Sequence, residues 1–238
     1  MRKLFVIVAL FCAASLGWAA NDVQFIDEGE MPNLLQVLPG PPQKGSPEYS
    51  KDSIAYLQAK VLRPTPRGET AIKHEKMKVK HVMPLFGNIM GLPLKEKDYP
   101  ILADLIRGTM RTVKGALKTV KKKYARHRPY QDFGEPTSIP EDEDPKDYTS
   151  YPSSHAARAW ALALLFAELD PEHKNDYVKL GFEMGQSRVI AGFHYQSDVD
   201  AARKAAEAIY SQLQTSEKFQ DYQKKAREEI ARGKEELK

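Results

Sequence analysis

From His155 to Phe166 the chain reads HAARAWALALLF, and Arg158 is the one formal charge in that run. A helix of this composition has no polar face to offer water, so it must be wrapped by other elements. It is followed, after Asp170-Pro171, by a second buried-looking helix over about 172–190. Two such helices in tandem demand partners with apolar faces, and the chain supplies them in helical form. Over Tyr99 to about Arg126, residues Leu102, Ile106, Met110, Val113, Leu117, Val120 and Tyr124 step by three and four, marking one face of an amphipathic helix. Pro129 biases Arg128 out of helical geometry and should end it. Ile54, Leu57, Val61 and Leu62 recur at helical spacing, Arg67 to Val82 is a charged helix candidate, and MPLFGNIMGLPL (83–94) interrupts the pattern with glycine and proline. No stretch alternates convincingly as a strand and no internal repeat is visible. The expected fold class is all-α, a single-domain helical bundle.

The first residues belong to a different logic. Met1-Arg2-Lys3 is a short basic region, Leu4 to Ala14 is unbroken apolar sequence, and small residues then precede a cleavage position after Ala19. This is the three-part pattern of a secretory signal peptide, and the apolar run is short for a membrane span. The expected organisation is therefore a leader over 1–19, an extended proline-rich segment over 20–47 containing LPGPPQKGSP, and an all-α domain over 48–238. A periplasmic or secreted product is expected. Cys12, the only cysteine, falls in the leader, so the exported protein must be stable on its core without a disulfide. No later segment has the length and hydropathy of a transmembrane helix. The net charge of +4 owes two units to Arg2 and Lys3, so a general nucleic-acid-binding surface is not expected.

Three segments carry residues suited to chemistry. In KKKYARHRP (121–129), Lys121 falls within roughly 40° of the centre of the apolar stripe, and Arg128 would share its face if the helix continued. Cations turned toward a core need an anion, which structural ion pairs or a ligand can supply. In PSSH (152–155), Ser153 or Ser154 can cap the following helix, and the same helix N-terminus suits a phosphate oxygen. In SRVIAGFHYQSD (187–198), Arg188 offers a planar fork, while His194 precedes Asp198 by four residues. Ser197 is expected to cap the next helix, with Asp200 completing a capping box and Asp198 in the first turn. A histidine held by a carboxylate is a prepared nucleophile or base; a helix-start aspartate beside an incidental histidine has the same spacing. His74, Glu75 and His81 lack the spacing of a zinc helix.

In order, the segments read Lys, six residues, Arg-Pro; Pro-Ser-Ser-His; Ser-Arg, five residues, His, three residues, Asp. This resembles the signature of the type-2 phosphatidic acid phosphatase superfamily, shared with vanadium haloperoxidases. Within it the chain is most similar to the class A bacterial non-specific acid phosphatases, through GQSRVIAGFHYQSDVDAAR (185–203), LPGPP and FAELDP. The resemblance implies that His194 attacks phosphorus and Asp198 orients it. It implies that His155 protonates the leaving oxygen, and that Lys121, Arg128, Arg188, Ser153 and Ser154 bind the phosphoryl group. It implies no metal and no cofactor, a small phosphate ester as substrate, and a homodimer or larger assembly. Ser154 stands where the family has glycine, and Arg158 stands one turn after His155 where an apolar residue is expected. A guanidinium near His155 would lower its pKa. The class's loop cysteines are absent, so the acidic stretch 134–150 is expected to be freer.

The function expected is a secreted, metal-independent acid phosphatase acting through phosphohistidine. A lipid-phosphate phosphatase would use Phe86, Ile89, Met90 and Leu92 as an apolar entrance. A vanadate-dependent haloperoxidase and a non-catalytic phosphate-binding protein are the other readings of the same pocket.

Overall fold

The computed structural model describes residues 23–237. The leader and its cleavage position after Ala19 lie outside the described residues. Eleven α-helices follow in order: α1 (Leu34–Val37), α2 (Pro47–Lys60), α3 (Pro66–Lys73), α4 (Val79–Met90), α5 (Pro100–Ala116), α6 (Lys118–Tyr124), α7 (Pro129–Phe133), α8 (Ser154–Leu169), α9 (Lys174–Ile190), α10 (Gln196–Leu213) and α11 (Glu217–Glu236). The described residues contain no β-strand, and the architecture is an all-α bundle.

The apolar run is α8, and it occupies the centre. It starts where Ser153 Oγ accepts the backbone N–H of Ala156 at 3.2 Å. Its alanines keep the helix surface shallow, so α9, α10 and α5 all pack on it, α9 most extensively. Gly181 of α9 lies against this surface: a Cβ there would stand 2.5 Å from Ala163 Cβ. Larger side chains fill the far end, where Phe86 of α4 stacks on Phe166 at 4.4 Å between centroids and Tyr177 packs beside both. Among the described residues, no helix is long and apolar enough to cross a membrane.

Several elements differ from the sequence expectation. The helix expected over 99–126 is two helices, broken at Leu117 and closed by Ala125 in the left-handed region at φ +42°. Arg67–Val82 is likewise divided between α3 and α4. Helix α4 runs through Pro84 and stops at Gly91, whose φ of +72° suits a C-terminal cap. Burial of Val82, Met83 and Phe86 holds α4 together despite the backbone bond that proline removes. On α2 the apolar stripe Ile54, Leu57 and Val61 faces outward, while Asp52 and Tyr56 face inward. The inward face is polar because it meets a buried arginine, described below. The terminal helix α11 is not simply solvated: it buries Phe219, Ala226 and Ile230, and its Glu229 carboxylate accepts the N–H groups of Ile101 and Leu102 at the start of α5. The segment before Pro47 also contributes to the core, with Phe25 packed edge-on against Phe219.

Candidate active site

The N-terminus of α8, the α9–α10 turn, the α6–α7 corner, the acidic stretch before α8 and the α3–α4 connection surround a cavity of about 330 Å³. Lys121, Arg128, Ser154, His155, Arg188 and His194 all reach its wall. Asp198 stands behind His194, and Ser153 lies beneath the wall as the fully buried cap of α8.

His194 is delivered by the turn that ends α9. Gly192, at φ +90°, reverses the chain, and the N–H groups of Phe193 and His194 both donate to Arg188 O, at 3.0 and 3.3 Å. Helix α10 then begins two residues earlier than the sequence suggested, at Gln196. Ser197 is not its cap; the Asp198 carboxylate closes the N-terminus by accepting Tyr195 N–H at 2.9 Å. The same oxygen accepts the Ser150 hydroxyl at 2.6 Å and lies 3.4 Å from His194 Nδ1. Its partner oxygen accepts Arg126 at 2.6 Å, and Arg126 donates its other terminal nitrogen to Asp52 at 2.7 Å while covering the Tyr195 ring. Asp198 is fully buried, yet these donors and the cation hold its pKa far below the ordinary range.

On the cavity side, Arg128 lies 3.1 Å from His194 Nε2. A guanidinium only donates, so Nε2 is the accepting nitrogen and the neutral ring carries its proton on Nδ1, toward Asp198. Burial lowers the His194 pKa to about 3, with Arg128 reinforcing the shift and Asp198 opposing it. The imidazole therefore keeps a lone pair directed at the cavity through mildly acidic pH.

The phosphate-clamp candidates are each engaged by protein groups. Arg128 pairs with Asp147 at 2.7 Å and donates to Phe193 O at 2.9 Å. Arg188, stacked over Phe193, pairs with Glu75, and its Nε is buried without a partner. Burial lowers its pKa to about 10. Lys121 donates to the carbonyl of Thr149, and burial followed by Arg128 brings its pKa down to about 7. An anion in the cavity restores the charge that burial opposes.

His155 lies 2.7 Å through Nε2 from the carbonyl of His74, which fixes a proton on that nitrogen and leaves Nδ1 for other partners. Burial lowers its pKa well below the ordinary value, and Arg188 and then Arg158 add to the effect. Arg158 does turn inward: it lines the cavity and donates Nε to Ser154 O at 3.1 Å.

Sequence reasoning missed Glu75 as a cavity residue, together with Asp147, Ser150, Arg126 and Asp52. Their partners lie up to 145 residues away, Asp52 accepting from Ser197 N–H and Glu75 from Arg188, and no local pattern connects them. The acidic stretch is well anchored: Tyr130 donates to Asp144 O at 2.8 Å and Gln131 to Pro145 O at 3.0 Å, besides the Arg128–Asp147 pair. Phe86, Met90 and Leu92 are buried in the main core and Ile89 packs against it, so none forms an apolar entrance. The only described metal-like grouping is Asp170, Glu172 and His173, at the α8–α9 connection. Asp170 there already accepts from Tyr177 and Lys234 and pairs with His173, at 2.7, 2.9 and 2.7 Å.

A helical bundle holding a histidine–carboxylate pair against a ring of cations defines a phosphoryl-handling class, and comparison with known proteins agrees. The model of the PAP2 superfamily matches residues 105–209, which span α5 to α10. A non-specific acid phosphatase of Providencia stuartii is 36% identical over 97% of this chain and 95% of its own length. One from Salmonella typhimurium is 34% identical over 97% and 93%, and one from Salmonella typhi 35% identical over 89% and 86%. The chain belongs to the class A bacterial non-specific acid phosphatases, within the PAP2 and haloperoxidase superfamily.

Proposed function

We propose that the cavity hydrolyses phosphate monoesters without a metal, through a phosphohistidine on His194. The observation that carries this reading is the orientation of His194: Nδ1 toward Asp198, Nε2 toward a cavity walled by Lys121, Arg128 and Arg188. The Nε2 lone pair attacks phosphorus as the bond to the ester oxygen breaks, and His155 gives that oxygen its proton. Asp198 stabilises the positive charge that develops on the ring. His155 then takes a proton from water, the hydroxide oxygen bonds to phosphorus, the P–N bond breaks and inorganic phosphate leaves. The three cations neutralise the equatorial oxygens throughout, the task a magnesium ion has in other phosphoryl-transfer sites. Ser154, the first residue of α8, adds a hydroxyl and a helix N-terminus at the wall; Ser153 supports it from below as the cap.

Export to the periplasm with cleavage after Ala19 and assembly into a homodimer or larger species complete the proposal. Terminal sequencing of the secreted product and light scattering test them. For the activity, hydrolysis of a chromogenic aryl phosphate is followed between pH 4 and 8. Turnover should survive EDTA, fall with vanadate and drop about a thousandfold or more in His194→Ala. Loss with EDTA, or an active His194→Ala, contradicts the mechanism.

A further inference from the structure

The cavity holds more positive charge than one phosphoryl group needs. Its wall carries Lys114, Lys118, Lys121, Arg128, Arg158 and Arg188, set against the carboxylates Glu75, Asp142 and Asp147. Glu75 is already paired with Arg188 and Asp147 with Arg128. Lys114, Lys118 and Arg158 make no salt bridge among the described residues; the Glu75 carboxylate acts on the charge of Arg158 but is itself paired with Arg188. Lys114 lies in the last turn of α5, and Lys118 and Lys121 follow it at spacings of four and three on α5 and α6. Arg158 is partly buried, and a guanidinium is costly to withdraw from water without an acceptor. Its only hydrogen bond runs from Nε to the Ser154 carbonyl of its own helix. The terminal nitrogens, which hold no protein acceptor, are not sealed in the core, and the side chain lines the phosphate cavity.

A phosphate monoester carries between one and two negative charges in the mildly acidic range, since its second pKa is about 6. The excess of cations over carboxylates on the wall exceeds that, and the clamp of Lys121, Arg128 and Arg188 already provides donors for one phosphoryl group. A second anionic group is what would use the remainder. Arginine offers a planar fork suited to phosphate oxygens, and lysines at a more exposed rim act as point charges.

Resting on the phosphatase reading above, we propose that Arg158, Lys118 and Lys114 form a second phosphate subsite, so that the enzyme prefers substrates bearing a second phosphoryl group beside the scissile one. The chemical class is a diphosphate or a compact bisphosphate. Arg158 is the specificity-determining residue, and the two lysines draw the distal group to the rim.

The test compares inorganic phosphate with methylenediphosphonate, a non-hydrolysable diphosphate mimic, as competitive inhibitors of aryl phosphate hydrolysis. It runs beside kcat/KM for pyrophosphate against the aryl ester. Wild type should bind the diphosphonate at least tenfold more tightly than phosphate. Arg158→Leu and Lys118→Ala should each reduce that preference and the matching kcat/KM ratio, Arg158→Leu by fivefold or more. Arg158→Lys should retain part of it, and added salt should weaken it in wild type. Using ratios removes any common effect of Arg158 on His155. Lys118 is exposed, so its variant keeps the test available if Arg158→Leu does not fold. Wild type that turns over the aryl ester without a diphosphonate preference overturns the subsite alone, as do unchanged ratios in both variants. Wild type that neither binds phosphate nor hydrolyses the ester overturns the phosphatase reading with it.

Discussion

His194 and His155 are both buried beside cations, and the consequences differ because their partners differ. His194 has Asp198 behind it, so its ring stays neutral but is placed to accept the positive charge that the proposed attack by Nε2 on phosphorus would develop. His155 is buried with a carbonyl at Nε2 and cations around it, so it resists the proton that the proposed mechanism has it donate. A bound phosphate offsets those cations and lets His155 charge. Arg158 works against this from one turn away. Replacing it with methionine removes a cation, raises the pKa of His155 and keeps the acid form to higher pH. The alkaline limb of the pH–kcat profile with an aryl phosphate should therefore move upward in Arg158→Met and stay in place in Arg158→Lys. A limb that moves down, or not at all, contradicts the placement of Arg158 against His155.

At this scale the sequence was most informative where chemistry repeats in a fixed spacing. His194 and Asp198, four apart across a helix start, could be paired on paper. Glu75 could not, because its partner Arg188 arrives from another helix and nothing near Glu75 marks it as a cavity residue. Arg126 sat within a basic run where it was indistinguishable from a solvated charge, and its contacts with Asp198 and with Asp52 of α2 explain why it is buried.

Among the elements, α8 was legible because its composition admits only a buried helix, and the three-four stepping of α5 and α6 was legible for the same reason on one face. Their break at Leu117 was not, since both pieces keep the same apolar stripe and the nearest glycine, Gly115, lies inside the last turn of α5. The stripe on α2 misled, because burial there is decided by the Asp52–Arg126 pair and not by the apolar residues. Close approach of α8 and α9 rests on small residues facing each other. Gly181→Ala places a methyl group 2.5 Å from Ala163 Cβ and 3.2 Å from Ala159 O, so the helices must separate. The expected cost is about 1–3 kcal/mol, read as a lower denaturant midpoint at unchanged slope. Stability equal to wild type would mean that the α8–α9 contact is looser than described.

For the molecule as a whole, the buried imidazoles couple the site to stability. The pKa of His74, bonded to Ser187 at 2.9 Å, is lowered by burial to about 4, that of His194 to about 3, and that of His155 is lowered as well. All three are lower in the folded state than in the unfolded chain, so the unfolded chain takes up protons first as pH falls below about 6.5. Each histidine then contributes a loss approaching about 1.4 kcal/mol per pH unit until its folded pKa is reached. The ligand-free enzyme should melt at progressively lower temperature from pH 7 to 4.5, and saturating phosphate should reduce the fall by stabilising the charged site. A melting temperature independent of pH over that range would contradict the buried neutral histidines.

The proposed mechanism bonds phosphorus to His194, and rapid quenching of a turning-over reaction, followed by peptide mass analysis under alkaline conditions that preserve phosphohistidine, tests that bond. The expected result is a phosphoryl group on the peptide containing His194 in wild type, at higher occupancy in a variant lacking the His155 imidazole when a substrate with a good leaving group is used, and absent from His194→Ala. A phosphoryl group on Ser153 or Ser154, or full turnover with no phosphorylated histidine at any quench time, would contradict it.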